Sequence, residues 1–408
     1  MKGKKIFRCM PVLVALCVLL EGMFFMTITK PGHVPDIWTH VYRIDSILNG
    51  DVIARPVTSR SMLHNTETGV VGGAVDRSWM QYSLDQYDGY DPGVVIAESI
   101  ANNKASATVD LPFNNTATNS PIVYAPQLLG FAVGRLFNLR SGTTYRLAEI
   151  CMIAVYALLM YCAVMTLPKW RIPVGLLLCV PQMLRFASFS ISADSLTQAV
   201  MILFSCLLFR GIIGKRSQRG AVALAVTSVV ASGIWTIFWL GVNAWYTNCP
   251  MLVSYKQMSE RKHALLTDPV AMLDAVKNIA WAIMHAQSNM NNRTDSIMIA
   301  ACWLAIVVSV VVLAVTSVVN ACVKSRRKNP VRTANGSINA CGVLSLPYAW
   351  LIAVVCIGDI LLIYLALWLQ YDADGLIGVD GMQFRYFLPY APLFAFVMLE
   401  SGRRLLKQ

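Results

Sequence analysis

The chain has 408 residues, of which 56% are hydrophobic and 14% charged, whereas soluble domains carry about 25% charged residues. This composition excludes an ordinary soluble domain, and the repeated long apolar runs predict an all-α integral membrane protein. The net charge of +12 would indicate nucleic-acid binding in a soluble protein. Here the basic residues lie in short segments between apolar runs, where such residues mark the cytoplasmic side of a membrane protein. We therefore expect the lipid bilayer as a partner and no nucleic acid.

The apolar runs give the predicted membrane spans, because a helix needs about 20 apolar residues to cross the hydrocarbon core. The run at 121–137, "PIVYAPQLLGFAVGRLF", is short and is interrupted by proline, glycine and arginine, so its length leaves its crossing open. The spans that we predict, eight in number, are 6–28, 147–167, 172–188, 195–213, 221–246, 296–319, 344–370 and 386–400.

The positions of the basic clusters decide whether 121–137 crosses. Cytoplasmic segments are enriched in lysine and arginine, and all the clusters fall on the cytoplasmic side only if 121–137 lies on, or re-enters from, the outer face. This arrangement predicts a multi-pass protein of the bacterial plasma membrane with both termini in the cytoplasm. The basic clusters lie at 2–8, 169–171, 215–219, 324–332 and 403–407.

The first apolar run resembles a signal peptide, but no small-residue cleavage site follows it, so we predict a retained span. Residues 1–408 then form a single transmembrane domain with two sizeable extracytoplasmic segments, at 29–146 and 247–295. The eleven cysteines lie mostly inside apolar runs and show neither a CxxC pair nor metal-ligand spacing. We therefore predict no metal site and no disulfide framework.

The stretch "PDIWTHVYRIDSILNG", at 35–50, predicts an amphipathic helix in the first outer segment. Asp36, His40 and Arg43 recur on one stripe of this helix, and apolar residues recur on a different stripe. A helix lying at the membrane surface would present this carboxylate, imidazole and guanidinium side by side. A solvated helix face is the alternative interpretation. The apolar stripe consists of Ile37, Val41, Ile44 and Leu48.

Two further polar sets are predicted on the outer side. Asp194 lies in the stretch "RFASFSISADS" (185–195), at the mouth of a span, where it or Ser192 can serve as a helix N-cap. Gln383 and Arg385 precede the last span, where snorkelling to the interface is the simpler explanation. We expect Asp36, Asp194 and Arg385 to share one interfacial layer, although the sequence does not show whether they touch.

Two carboxylates lie within predicted spans, Glu21 in the first and Asp359 in the seventh. Charged groups at this depth are costly and usually functional or paired. They are predicted either to line the same cavity as the outer polar sets or to pair with an arginine. The candidate arginines are Arg135, Arg146 and Arg185.

At these residues the sequence resembles an uncharacterised family of bacterial polytopic membrane proteins, domain of unknown function 2142. The resemblance rests on four stretches that occur in the same order over nearly the whole chain. They are "PDIWTHVYRIDSILNGD" (35–51), "SPIVYAPQLLGFAVGRLFNL" (120–139), "VPQMLRFASFSISADSL" (180–196) and "GVDGMQFRYFLPYAP" (378–392).

The family in turn resembles the GT-C membrane glycosyltransferases, which have a large first outer loop with surface helices. This resemblance implies transfer of a sugar from a polyprenyl-phosphate donor to an envelope glycan or lipid. Asp36 would then be the general base, assisted by His40, and Arg385 would hold the donor phosphate. Gln383, Arg43 and Asp194 would bind substrate. Asp194 with Asp36 would alternatively bind a divalent cation, which is the one cofactor that the resemblance leaves open.

Two other functions fit the same residues. A transporter or flippase of lipid-linked sugars would also use acids such as Glu21 and Asp359 within its spans. A non-catalytic assembly protein for envelope polysaccharide would tolerate loss of the Asp36 carboxylate. An enzyme that uses a nucleotide sugar is disfavoured, since no cytoplasmic segment is long enough to form a catalytic domain.

Overall fold

The fold is described by a computed structural model that covers residues 2–57, 70–88, 107–213, parts of 227–242, 255–288, 292–326, 344–371 and 377–407. Within it, five helices are long and apolar enough to cross a membrane. This confirms a predominantly helical membrane protein. The five are α1 (Lys2–Ile28), α6 (Ser141–Thr166), α9 (Ala193–Ile213), α12 (Arg293–Arg326) and α13 (Leu346–Tyr371).

The predicted span at 172–188 is not one continuous helix. It consists of α7 (Arg171–Leu178) and α8 (Pro181–Leu184), separated by an extended residue, Val180, at φ −71 and ψ 124. A proline disfavours helical backbone in the residue before it, which explains the break at Val180. The segment nevertheless runs alongside α1, since Gly175 packs against Met10 while Ser188 lies near Gly22.

The other short predicted spans also differ from simple crossing helices. Residues 386–400 fall in a 3₁₀ helix, Phe384–Tyr390, followed by α14 (Ala391–Leu405). The ambiguous run forms a 3₁₀ turn, Pro121–Tyr124, and the 12-residue α5 (Ala125–Leu136). A 12-residue helix rises about 18 Å, which is too short to cross. The predicted span at 221–246 lies largely outside the described residues, so the count of eight spans stays a prediction.

The two ends of the helix bundle differ in what they carry. At one end Arg146, near the start of α6, donates to the carbonyls of Met26 and Thr29 at 2.7 and 3.4 Å. We call this the loop end, because the chain leaves α1 there at Thr29 and enters α6 there at Ser141. At the other end, which we call the terminal end, Glu400 of α14 pairs with Lys169 and accepts the Trp170 indole N–H at 2.6 Å.

The predicted first outer segment contains a small three-stranded sheet, which the sequence did not predict, within an otherwise mostly helical structure. Strand β2 (Val70–Asp76) pairs antiparallel with β1 (Arg55–Val57) on one side and β3 (Thr108–Pro112) on the other. Gly72 lies opposite Pro112, and a side chain at Gly72 would collide with the backbone of Leu111. The glycine is therefore required for close strand pairing.

The helix predicted at 35–50 is α2 (Ile37–Leu48), but it is not a surface helix. Every residue from 37 to 46 is buried, because the sheet and neighbouring short helices cover its polar side. Asp45 of α2 accepts the backbone N–H of Asp76 in β2 at 2.7 Å. The short helices of this layer are α3 (Arg77–Asp85) and α4 (Asn114–Ala117).

The second outer segment is helical and contacts the chain just before the last 3₁₀ helix. It forms α10 (Tyr255–Thr267) and α11 (Pro269–Met284). The side-chain oxygens of Asn278 and Gln287 accept the backbone N–H groups of Gly378 and Val379, both at 2.9 Å. These two hydrogen bonds hold in place the non-helical segment that leads to Gln383 and Arg385.

Candidate functional site

Asp194 and Arg385 form an ion pair at the loop end, with Oδ2 of the acid 3.3 Å from Nε of the arginine. Asp194 lies in the first turn of α9, and its backbone N–H is capped by the Ser192 hydroxyl at 3.2 Å. The Arg385 side chain is 18% exposed and that of Asp194 48%. Burial alone would lower the pKa of Arg385, but the nearby Asp194, Tyr386 and Asp36 outweigh it and raise that pKa.

Asp36 occupies the same layer at the N-terminus of α2. Its backbone has the left-handed conformation, with φ 58, and its side chain makes no capping hydrogen bond. This conformation costs energy for a residue other than glycine, and such residues cluster at functional sites. Asp36 lies close enough to Arg385 and His40 to interact with both electrostatically. Asp36 is partly exposed, but it does not line the cavity that opens beside Arg385.

His40 is buried and connects two elements rather than facing open space. Its Nδ1 lies 2.7 Å from the Tyr124 hydroxyl and its Nε2 lies 3.3 Å from the Ser192 hydroxyl. Asn119 donates to the same Tyr124 oxygen at 2.9 Å. Burial lowers the pKa of His40 to about 4, although Asp194 and Asp36 oppose this shift, so the ring is neutral at pH 7. We interpret His40 as a residue that positions the Ser192–Asp194 turn, in place of the predicted direct catalytic role.

Arg43 is placed away from the site. Its side chain is fully buried and donates to the backbone carbonyls of Asp51, Val52 and Asn119 at 2.9, 2.7 and 3.3 Å. The guanidinium also lies 5.8 Å from the centre of the Phe113 ring. These contacts join α2 to the chain at 51–52 and at 119, and Arg43 does not line the cavity described below, so its substrate-binding role stays a prediction.

A cavity of about 510 Å³ opens next to the ion pair. One part of its lining is basic and comes from the end of α1, the turn after α8 and the last 3₁₀ helix. Gln383 and the apolar side chains of Ile28, Phe186 and Met298 also line it. The basic residues are Lys30, His33, Arg185 and Arg385.

The start of α12 supplies a polar wall that the sequence did not indicate. Asn292, Thr294 and Asp295 line the cavity there. The Asp295 carboxylate accepts the backbone N–H of Phe384 and interacts electrostatically with Arg385 and Arg185. Asp295 immediately precedes the predicted span at 296–319, and that position was the available signal for a residue at the interface.

Glu21 and Asp359 do not line this cavity. Within α1, the Glu21 carboxylate accepts a hydrogen bond from the Cys17 thiol at 3.3 Å. Asp359 is exposed on α13 near Tyr390. The predicted pairing of these acids with an arginine is also wrong for two of the candidates. Arg135 pairs with Asp45 at 2.7 Å and Asp76 at 3.3 Å, and Arg146 pairs with Glu149 at 2.8 Å.

The resemblance left open a bound divalent cation. The part of the chain that the structure describes contains no cluster of side chains suited to bind one. No group of three or more histidine, cysteine, aspartate and glutamate side chains there is arranged to hold a metal ion. Asp194, one of the two predicted ligands, already pairs with Arg385.

Comparison with known proteins gives a family and no characterised relative. No curated protein and no solved structure matches the chain. A family model described as predicted membrane protein (DUF2142) matches residues 19–238, just over half of the sequence. The matched region contains α2, the small sheet, His40 and Asp194, whereas Asp295 and Arg385 lie beyond it. The chain is therefore a member of the DUF2142 family of membrane proteins.

Proposed function

We propose that the protein is a membrane glycosyltransferase that takes a sugar from a polyprenyl-phosphate carrier at the loop end. The observation that carries this proposal is the Asp194–Arg385 ion pair beside a cavity that two arginines line. A carrier lipid has its chain in the bilayer and its phosphate at the interface. The end of a helix bundle is therefore the depth at which cationic and acidic groups meet such a headgroup.

Arg385 is the group that we assign to the donor phosphate. Its Nε lies 3.3 Å from Asp194 and its guanidinium also interacts with the Tyr386 side chain, so we assign its remaining N–H groups to phosphate oxygens. Arg185 lines the same cavity and lies over the Phe186 ring at 5.1 Å, so a second guanidinium is available to the same anion. Arginine suits phosphate better than lysine because its donors form a rigid fork.

Asp36 is the group that we assign as general base. It would take the proton of an acceptor hydroxyl as that oxygen attacks the anomeric carbon of the donor sugar. The bond between this carbon and the phosphate oxygen breaks, and the carrier phosphate leaves with the bonding electrons and gains a negative charge. Arg385 stabilises that charge. A positioned general base contributes about 10²–10⁴ in rate.

The orientation that this function needs places the loop end outside the cell and both termini in the cytoplasm of a bacterium. The charges at the terminal end support this orientation, because basic residues gather on the cytoplasmic side. Lys169, Arg403 and Arg404 contact Glu400 or its neighbours there, and Arg171 lies 4.7 Å from the centre of the Phe7 ring.

The test uses the full-length protein in lipid nanodiscs with a panel of polyprenyl-phosphate hexoses and host membrane glycolipids as acceptors. Released polyprenyl phosphate is measured by mass spectrometry. We expect turnover by the wild type, at least a hundredfold loss in Asp36→Asn and weaker donor binding in Arg385→Ala. Arg140→Ala is the matched control, since Arg140 is exposed and does not line the cavity.

Full activity of Asp36→Asn would remove the assignment of the base. Movement of the lipid-linked sugar across proteoliposome membranes without any transfer would instead identify a flippase. Binding without either transfer or movement would identify a non-catalytic assembly protein.

A further inference from the structure

The cavity beside Arg385 has two walls of unlike charge. The basic groups of Arg185 and Arg385 come from the turn after α8 and from the last 3₁₀ helix. The wall at the start of α12 carries an amide, a hydroxyl and a carboxylate, from Asn292, Thr294 and Asp295. A ligand that fills the cavity therefore meets cations on one side and neutral or acidic hydrogen-bonding groups on the other.

The Asp295 carboxylate keeps hydrogen-bonding capacity for a ligand. An ionised carboxylate has about four acceptor positions, and the Phe384 N–H occupies one of them. Within the described residues, Asp295 forms no direct ion pair, although it interacts electrostatically with Arg185 and Arg385. The backbone of Phe384 therefore holds Asp295 at the cavity that it lines, with acceptor capacity in reserve.

We propose that the wall formed by Asn292, Thr294 and Asp295 is the sugar subsite of the cavity and that it selects a neutral sugar. This inference rests on the proposed function, because it assumes that a phosphate occupies the arginines. Hydroxyl groups of the sugar donate to Asp295, and the Asn292 amide and Thr294 hydroxyl complete the hydrogen bonding. An acidic sugar would bring its carboxylate against Asp295, and like charges in a partly desolvated site repel.

The size of the cavity agrees with a phosphosugar headgroup. Its volume of about 510 Å³ lies in the range of about 300–1,000 Å³ that is typical of small-molecule sites. Its apolar lining residues, Ile28, Phe186 and Met298, lie at or near the ends of helices and offer a surface for the first isoprenoid carbons. One cavity can thus hold the sugar, the phosphate and the start of the lipid.

The test compares two probes on the full-length protein in nanodiscs, a short-chain polyprenyl phosphate and the same lipid carrying a neutral hexose. Affinities are measured by native mass spectrometry for the wild type, Asp295→Asn, Thr294→Ala and Arg185→Ala. Asp85→Asn is the matched control, because Asp85 is an acid of the outer segment that does not line the cavity. Asparagine at 295 retains an oxygen that can accept the Phe384 N–H.

We expect Asp295→Asn to weaken binding of the hexose-bearing lipid about tenfold or more, the loss of one charged hydrogen bond. Its binding of the sugar-free lipid should not weaken, because removing the Asp295 charge leaves Arg185 and Arg385 at least as attractive to a phosphate, and this retained binding also shows that the variant is folded. Thr294→Ala should follow the same pattern more weakly, whereas Arg185→Ala should weaken both lipids. A uronic-acid version of the probe should bind the wild type less tightly than the hexose version.

Equal effects of Asp295→Asn on both lipids, or no effect on either, would overturn the sugar subsite while leaving the phosphate site in place. A wild-type preference for the uronic-acid lipid would overturn the selection of a neutral sugar. If the wild type binds neither lipid, the proposed function fails and the sugar subsite fails with it.

Discussion

The Ser192 hydroxyl lies 3.3 Å from Nε2 of His40, so the first outer segment and the start of a membrane-crossing helix meet through two side chains. Ser192 also caps the backbone N–H of Asp194, whose carboxylate holds Arg385. A buried imidazole thereby sets the position of an acid that belongs to the site. Changes at His40 should consequently reach the Asp194–Arg385 pair without removing any group that contacts a ligand.

Replacement of His40 by alanine should destabilise the protein by about 2–5 kcal/mol. The Tyr124 and Ser192 hydroxyls would each lose a buried partner, at about 1–3 kcal/mol per unsatisfied group. Thermal unfolding in detergent measures the loss. His263→Ala is the control, because His263 is exposed on α10. Equal melting temperatures for the two variants would contradict the buried linkage.

The neutral state of His40 predicts a pH dependence of stability. Its pKa is lowered from an ordinary value of about 6.5 to about 4. Between these values the unfolded chain binds more protons than the folded protein, so stability falls as pH falls from about 6.5 to about 4. The full effect is about 3 kcal/mol, at about 1.4 kcal/mol per pKa unit.

Unfolding free energies of the wild type and His40→Gln over this pH range isolate the contribution, because other acids titrate in both proteins. The wild type should lose more stability than the variant as the solution is acidified. Parallel curves would show that His40 is not held neutral by the fold.

Arg43→Ala should lower stability strongly and leave the ligand site intact. The substitution removes a buried guanidinium from the carbonyls of Asp51, Val52 and Asn119, and each buried carbonyl left without a partner costs about 1–3 kcal/mol. The fraction that still folds should bind the lipid probes with unchanged affinity. Native mass spectrometry at low temperature, with thermal unfolding alongside, separates the two effects. Weaker binding by folded Arg43→Ala would show that Arg43 contributes to ligand binding.

Glu400→Gln should loosen the terminal end. The buried Glu400 carboxylate pairs with Lys169 and Arg403 and accepts the Trp170 indole N–H. Neutralising it leaves basic groups without their acid, which should cost about 3–5 kcal/mol. Thermal unfolding measures the loss, and Glu260→Gln on the exposed face of α10 is the control. A melting temperature equal to that of the control would show that this cluster contributes no stability.

Labelling with a membrane-impermeant maleimide tests the proposed orientation in intact cells. Asp85→Cys, at the loop end, should be labelled from outside, and Leu406→Cys, at the terminal end, should be labelled only after the cells are opened. Both positions are exposed. The native cysteines include exposed Cys9 and Cys322, so the wild type provides the background. The reverse pattern would place the cavity in the cytoplasm.

The sequence was sufficient to predict the long helices and α2, because hydrophobic length and helical periodicity are local properties. It was not sufficient to predict the burial of α2. The polar stripe of that helix is satisfied by distant partners, such as the Asp76 N–H that Asp45 accepts and the Asn119 carbonyl that Arg43 contacts. A sequence pattern alone cannot distinguish these partners from water.

The same reasoning separates the parts of the candidate site. Topology placed Asp194 and Arg385 in one layer, and the structure shows them in contact. Asp295 was not predicted as a site residue, because a single carboxylate at the edge of an apolar run belongs to no recognisable motif. The sheet was not predicted for two reasons. Strand β2 contains two glycines, which are poor strand formers, and it pairs with β3 over a long sequence separation.

The interruption of the third predicted span at Val180 bears on how this segment is sheltered from lipid. Two short helical pieces separated by an extended residue cannot satisfy their backbone against lipid as one long helix does. Gly175 of this segment instead packs against Met10 and Val14 of α1. The first helix therefore forms one wall of the broken segment. Without α1, the backbone at Val180 would face the acyl chains directly.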